Sequence, residues 1–364
     1  MKFRIEREEL TEALGDVSRV ASARTSAMPA LAGVELAVSG DNLTLSCSDK
    51  EISIQSTLAI GGQKDGVAVP SARILTDLVR GLPDGKVQIA WEGESLVVEA
   101  ARNRSTVMCY SATDFPKILH ASAPEGTVSA KVFGEALRQV VRAASADVSR
   151  LALTGVLISN QAEGLTFVAT DSYRLAVRQV AGTALAGEST VIIPARALGE
   201  LTRLIKEHDT ITYRLASDRA TFRVGNTTLS TSLLSVQFPN WKQLIQPSYP
   251  NKLGVNREAL LDAVRRSKVF ARDTIPVRLT QSAGSLKLSV HTNDTGETIE
   301  ELDADYKGPD ITIGFNPDYL LAGVEACTGE VITIESSDPI KPAVLRGSTN
   351  DGYLYLVMPQ RLTS

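Results

Sequence analysis

The sequence predicts an α+β protein built from three similar units of about 120 residues. Three observations predict it. The chain has 364 residues, too many for one ordinary core; a helix-period pattern returns in register three times; and period-two hairpins follow each helix. The first helix of each unit reads IEREELTEALGDV from Ile5, VFGEALRQVVRAA from Val132 and VNREALLDAVRRS from Val255. Glu8, Glu135 and Glu258 align, as do Leu10, Leu137 and Leu260, then Leu14, Val141 and Val264, with apolar positions four apart as one helix face requires.

A first hairpin follows each helix: LAGVELAVSGDNLTLSCSD, LTGVLISNQAEGLTFVATD and VRLTQSAGSLKLSVHTN alternate apolar and polar around a Gly-containing turn. A second helix comes next, in VAVPSARILTDLVRGL, VIIPARALGELTRLI and IGFNPDYLLAGVEAC. Leu75, Leu198 and Leu321 stand 123 residues apart, and Leu78, Leu201 and Val324 keep that step. Pro70, Pro194 and Pro317 read as first-turn prolines, where a missing N–H has no intrahelical partner. A second hairpin closes each unit: KVQIAWEGESLVVEA, ITYRLASDRATFRV and VITIESSDPIKPAVLRG. Pro, Ser and Gly cluster near 121–127 and 246–252, so the domains are expected at 1–121, 127–247 and 251–364.

Composition narrows the function. Hydrophobic residues at 43% and charged residues at 22% describe a globular chain, and no apolar run reaches bilayer length. The charged start MKFRIEREEL is unlike a secretory signal, so a cytoplasmic protein with no membrane partner is expected. Cys47, Cys109 and Cys327 are too scattered for a disulfide framework or a zinc knuckle and read as buried thiols. His120, His208 and His291 fall in different units at unrelated positions, and neither a Gly-rich phosphate loop nor HExxH occurs. Asp171 beside Arg174 reads as a turn or salt bridge. No catalytic residue, metal or cofactor is therefore expected.

The formal net charge is -4, which taken alone opposes nucleic-acid binding. Placement softens the objection. The helical segments 6–24, 70–81, 131–145, 194–208, 256–268 and 317–326 hold 15 Lys and Arg against 13 Asp and Glu, whereas the remainder is acidic. Arg24, Arg73, Arg80, Arg138, Arg142, Arg196, Arg203, Lys206, Arg265 and Arg266 are the candidates for a helix-borne basic surface.

Five segments then stand in order on the repeat: MKFRIEREEL, VATDSYRLAV (Thr170 to Arg174), QFPNW (Phe238 to Trp241), IGFNPDYLL (Phe315 to Leu321) and YLVMPQRL (Tyr355 to Leu362). End to end, the chain resembles the bacterial β sliding clamps, the processivity subunits of DNA polymerase III. The resemblance implies three DNA-clamp domains with helices inside and antiparallel sheets outside, in a head-to-tail homodimeric ring. It implies double-stranded DNA, the replicative polymerase alpha subunit, the clamp loader and other clamp-binding-motif proteins as partners, with no activity of the ring itself. Arg24, Arg73, Arg150 and Arg196 match DNA-facing positions, and Arg138, Arg142, Arg203 and Arg265 join them on the helices.

The resemblance also implies a partner-peptide pocket of Leu153, Thr170, Ser172, Tyr173, Arg174, Leu175, Pro239, Leu244, Tyr319, Leu356, Met358, Pro359 and Arg361. Leu153, Leu175 and Leu356 alternate within strands and equally suit plain packing. Arg102, Arg104, Val269, Phe270, Glu300 and Glu301 match the dimer interface. Departures from the family are also visible. Ser105 and Thr106 follow Arg102-Asn103-Arg104 where the family carries a bulky apolar residue, and Gln243, Lys341 and Gln360 differ at the pocket. The alternative reading is a paralogous clamp-fold scaffold with altered dimerisation or partner choice.

Overall fold

The computed structural model describes residues 1–22, 28–186, 190–206, 208–271, 275–292, 296–349 and 352–362. The first repeat contains β1 (Lys2–Glu6), α1 (Arg7–Val17), β2 (Glu35–Ser39), β3 (Asn42–Ser48), β4 (Ile52–Ala59), β5 (Gly61–Lys64), β6 (Gly66–Pro70), α2 (Ala72–Arg80), β7 (Lys86–Glu92), β8 (Ser95–Ala100) and β9 (Asn103–Tyr110). The second contains β10 (Glu125–Ser129), α3 (Ala130–Val140), β11 (Gly155–Gln161), β12 (Gly164–Thr170), β13 (Arg174–Ala181), β14 (Thr190–Pro194), α4 (Ala195–Ile205), β15 (Thr210–Leu215), β16 (Arg219–Val224) and β17 (Thr227–Ser232). The third contains β18 (Asn251–Asn256), α5 (Arg257–Phe270), β19 (Val277–Ser282), β20 (Ser285–Thr292), β21 (Gly296–Lys307), β22 (Ile311–Phe315), α6 (Pro317–Ala326), β23 (Val331–Ser336), β24 (Ala343–Gly347) and β25 (Tyr353–Val357).

The helices form where the apolar stripe and the caps agree. Leu10, Ala13, Leu14 and Val17 of α1 are buried, as are Leu260, Ala263, Val264 and Ser267 of α5, the same face in two repeats. Side-chain oxygens of Ser71, Asn256 and Asn316 accept from backbone N–H groups of the first turns of α2, α5 and α6, satisfying donors that have no intrahelical partner. All twelve hairpin strands read from the sequence are present, yet each repeat adds a strand before its first helix and others around the hairpins.

Two sequence expectations need correction. Pro70 and Pro194 close β6 and β14 rather than opening helices; Pro317 alone of the three stands in a first turn. At those strand ends the missing N–H costs no ladder bond. The third copy of the second helix is also phased one residue earlier than the 123-residue step implies. Its cap is Asn316, so Leu320 is fully buried and Leu321 only half-buried.

By contacts the chain forms two compact units, one mostly residues 1–131 with 200–233, the other mostly 132–185 with 234–364. Each holds one long antiparallel sheet among the described residues. In the first the order is β10-β15-β16-β17-β4-β3-β2-β6-β9-β8-β7-β1-β5; in the second it is β14-β11-β12-β13-β25-β24-β23-β18-β21-β20-β19-β22. The central repeat is thus shared, one half-sheet continuing into each neighbour. The helices bury their apolar faces on these sheets; Phe133 of α3 meets Phe167 of β12 edge-to-face at 5.2 Å. Cys47 and Cys327 are buried free thiols, whereas Cys109 is only partly covered, contrary to expectation.

Candidate functional site

The site grows from the turn between β12 and β13. The Asp171 carboxylate accepts from the backbone N–H groups of Tyr173 (2.9 Å) and Arg174 (3.0 Å) and from Arg174 Nε (2.9 Å). Thr170 Oγ1 donates to the Arg174 carbonyl at 2.7 Å. Ser172 takes a left-handed φ of 80°, uncommon for a residue with a Cβ, and this turns Tyr173 outward. The first repeat makes the same turn 122 residues earlier. Lys50 has φ 79° and Asp49 accepts from Glu51 and Ile52, but no arginine or tyrosine follows. The second repeat has therefore specialised a turn that the fold already possesses.

Arg174 lies over the Tyr319 ring, 4.7 Å from its centroid, and Tyr173 stacks on Tyr319 at 6.2 Å. The Tyr355 hydroxyl donates to the Tyr319 carbonyl at 2.8 Å, which locks the start of α6 to β25. Burial lowers the affinity of Arg174 for its proton, but the neighbouring Tyr355 and Asp171 outweigh it and hold the guanidinium firmly charged. Burial, with Asp171 next, pushes the Tyr319 phenol upward, so it stays neutral and available to donate. Met358 N donates to the Tyr173 carbonyl at 2.8 Å, so the chain end is pinned beside the turn.

Beneath this edge lies an apolar bed of Val168, Leu175, Val177, Tyr249, Val344, Leu354 and Leu356, with Leu157, Phe238, Trp241 and Ile245 packed against it. Leu175 and Leu356 are fully buried floor residues, and Leu153 and Thr170 are nearly so. Tyr173, Leu244 and Met358 remain exposed at 56%, 47% and 36%, a concentration of bare apolar surface above a packed floor. Pro239 and Arg361 are exposed and Pro359 half-buried around them. Sequence reasoning misses Tyr249 and Val344, since one sits in a loop and the other on a short strand with no period to mark it. A separate recess of about 510 Å³ opens at the far end of the same hairpin, among residues 161–166 and 179–181 with Trp241, Lys242 and Gly352, and contains none of the assigned residues.

The basic candidates divide. Arg73 is almost wholly exposed, and Arg138 and Arg196 are exposed. Arg142 and Arg265 share Glu325 at 2.7 and 3.2 Å, and Arg203 is paired with Glu200. Lys206 is engaged by Glu12 (2.6 Å) and Asp16 (3.2 Å), and Arg266 holds Glu300 at 2.6 and 2.8 Å. Arg150 sits beside the turn, 3.3 Å from the Ser172 hydroxyl, rather than on a helix. Arg24 lies outside the described residues. Of the interface candidates, Arg104 contacts Glu99 at 3.1 Å within its own sheet, Glu301 accepts from Ser285, Val269 is 79% exposed, Phe270 half-buried and Arg102 exposed. Among the described residues no group of three His, Cys, Asp or Glu could hold a metal ion, and no helix is long and apolar enough to cross a membrane.

Family profiles decide what this fold is. Those of the DNA polymerase III beta subunit N-terminal, central and C-terminal domains match residues 1–119, 127–240 and 242–361. The chain belongs to the DNA polymerase III beta subunit family. A beta sliding clamp of Synechococcus elongatus is 31% identical to it and one of Streptomyces coelicolor 30%, each over 376 residues with both chains fully covered. Among solved structures, the DnaN sliding clamp of Bartonella birtlesii bound to griselimycin superposes with a TM-score of 0.92 at 28% identity, and that of Pseudomonas aeruginosa bound to griselimycin with 0.90 at 28%, all chains covered in full. The architecture is accordingly that of three clamp domains, and this beta subunit is an accessory protein of DNA polymerase III rather than a catalyst.

Proposed function

We propose that two copies of the chain close head to tail into a ring around duplex DNA, slide along it, and tether the replicative polymerase alpha subunit and other clamp-binding-motif proteins at the site of Tyr173 and Met358. The carrying observation is a repeated joint. β17 of the second repeat pairs antiparallel with β4 of the first, and β25 of the third pairs antiparallel with β13 of the second. In repeat terms β21 is the counterpart of β4 and β13, and β9 the counterpart of β17 and β25. Among the described residues the second edge of 296–303 on β21 and of 103–108 on β9 has no partner strand. A long open edge invites pairing, and a third joint of the same kind, made with a second copy, occupies both edges of both chains and closes the assembly.

On this reading the domains run 1–121, 127–247 and 251–364. DNA is held by exposed helix arginines to which acidic neighbours lend only a weak net charge, which suits sliding: phosphate contacts position without reading bases. A clamp loader opens the ring, and the setting is the cytoplasm, where the chromosome lies. The test is retention. After loading, the protein should co-migrate with nicked circular DNA and be lost when that DNA is linearised; equal loss from both would favour a paralogous scaffold that does not encircle DNA. Replacing Arg73, Arg138 and Arg196 together with alanine should weaken direct DNA binding uniformly across sequences and lower the salt slope by about one for each phosphate no longer neutralised, measured by fluorescence anisotropy against NaCl.

A further inference from the structure

The two joints inside the chain give a register that can be carried to the third. Across three facing strands the paired residues run Ile89, Val98, Ser105 in the first repeat, Tyr213, Phe222, Leu229 in the second and Ile334, Leu345, Tyr355 in the third, all buried except Ser105, which is half-buried. Ser105 therefore stands where Leu229 and Tyr355 stand. On the complementary side, Cys47 pairs with Ile54, Ala169 with Ala176 and Val290 with Thr298, so Thr298 stands where Ile54 and Ala176 stand. The internal joints place Leu229 against Ile54, both fully buried, and Tyr355 against Ala176. Transferred, the same ladder places Ser105 against Thr298 of the partner subunit, two hydroxyls where the other joints have apolar pairs.

Charged residues recur along the rest of that ladder. Arg102 falls opposite Glu301 of the partner subunit. Arg104 falls opposite Ile299 of the partner subunit, flanked on the same face by Glu297 of the partner subunit and again Glu301 of the partner subunit. β21 carries Glu297, Glu300, Glu301, Asp303 and Asp305 against a lone Lys307, while Arg102 and Arg104 are the charges of the facing edge. Some of these also have neighbours of opposite charge within their own chain: Arg104 meets Glu92 and Glu99, Glu300 is held by Arg266, and Lys287 stands across from Glu301 on β20. The strand ladder of the joint is thus complementary in sign and, apart from the exposed Ile299 and Met108, poor in apolar side chains.

We infer that the joint between copies is an electrostatic latch, so that ionic strength opens this ring at β9 and β21 while the two internal joints hold. This rests on the two-copy reading above. Exposed ion pairs are screened within about 8 Å at physiological salt and less than half that at molar salt, whereas apolar contacts are not. Sedimentation equilibrium of the full-length protein, run between roughly 50 mM and 1 M NaCl, spans a range over which the Debye length falls about fourfold. The dimer dissociation constant should rise about 100-fold or more, with the far-ultraviolet circular dichroism unchanged. The pair R102E/R104E should be monomeric at low salt, E297R/E301R likewise, and mixing the two variants should restore dimers, because one joint of the mixed ring is then charge-swapped and the other is wild type. Ser105→Leu combined with Thr298→Ile should keep the dimer at molar salt. A wild-type dimer whose dissociation constant is flat across the series overturns the latch and leaves the ring intact; a monomer at every salt concentration overturns the two-copy reading itself.

Discussion

Replacing Met358 with aspartate abolishes capture of a labelled peptide carrying the clamp-binding motif of the polymerase alpha subunit, a loss of at least about 100-fold by fluorescence polarisation. The magnitude follows from what is exchanged. A buried thioether anchor contributes about 1.5–3 kcal/mol, and a carboxylate in its place must be desolvated without a partner. The fold should not notice, because Met358 is 36% exposed and its structural role is a backbone N–H donated to the Tyr173 carbonyl, which any residue but proline supplies. Unfolding free energy in urea should stay within about 0.5 kcal/mol of wild type. Met358→Leu should bind within about tenfold of wild type, since volume and polarity are nearly conserved. Peptide affinity unchanged in Met358→Asp would remove this residue from the site.

Tyr355→Ala destabilises the protein by about 3–5 kcal/mol and takes peptide binding with it. Tyr355 is 2% exposed. Its ring fills the space above Gly323, where an added Cβ would come 2.4 Å from ring atom Cδ1, and its hydroxyl reaches the Tyr319 carbonyl. Deleting the ring leaves a cavity between β25 and α6 and frees Tyr319, on which Tyr173 and Arg174 stack. Tyr355→Phe, which loses only the hydrogen bond, should cost about 0.5–1.5 kcal/mol. Urea denaturation separates these outcomes; equal costs for the two variants would show that the ring is not what seats the helix.

What could be read from the sequence follows from where the signal lies. Helices α1, α3 and α5 were legible because an apolar stripe at helical spacing returns in every copy, and the hairpins because alternation and glycine turns are local. β21 was not: Gly296–Lys307 carries five carboxylates and looks like solvated surface, and it is a strand because β20 pairs with residues 296–303 and β18 with 304–307. β25 reads YLYLV and is buried on both faces, so the alternation expected around Leu356 does not separate a core face from a solvent face. The turn at residues 171–174 was legible through its resemblance to a family. Its apolar floor was not, because Tyr249 and Val344 come from distant segments that meet only after folding. The charge count on the helices misled in detail for the same reason. Glu325, which engages Arg142 and Arg265, lies 183 and 60 residues away from them.

The sharing of the central repeat has a consequence for how such proteins can be rearranged. Its strands β10 and β15–β17 belong to the ladder of the first repeat, and β11–β14 to that of the third. Sequence copies and mechanical parts therefore do not coincide. Excising or transplanting one copy as a cassette would tear two ladders at once, so exchange between relatives is tolerated more readily for whole chains than for single repeats.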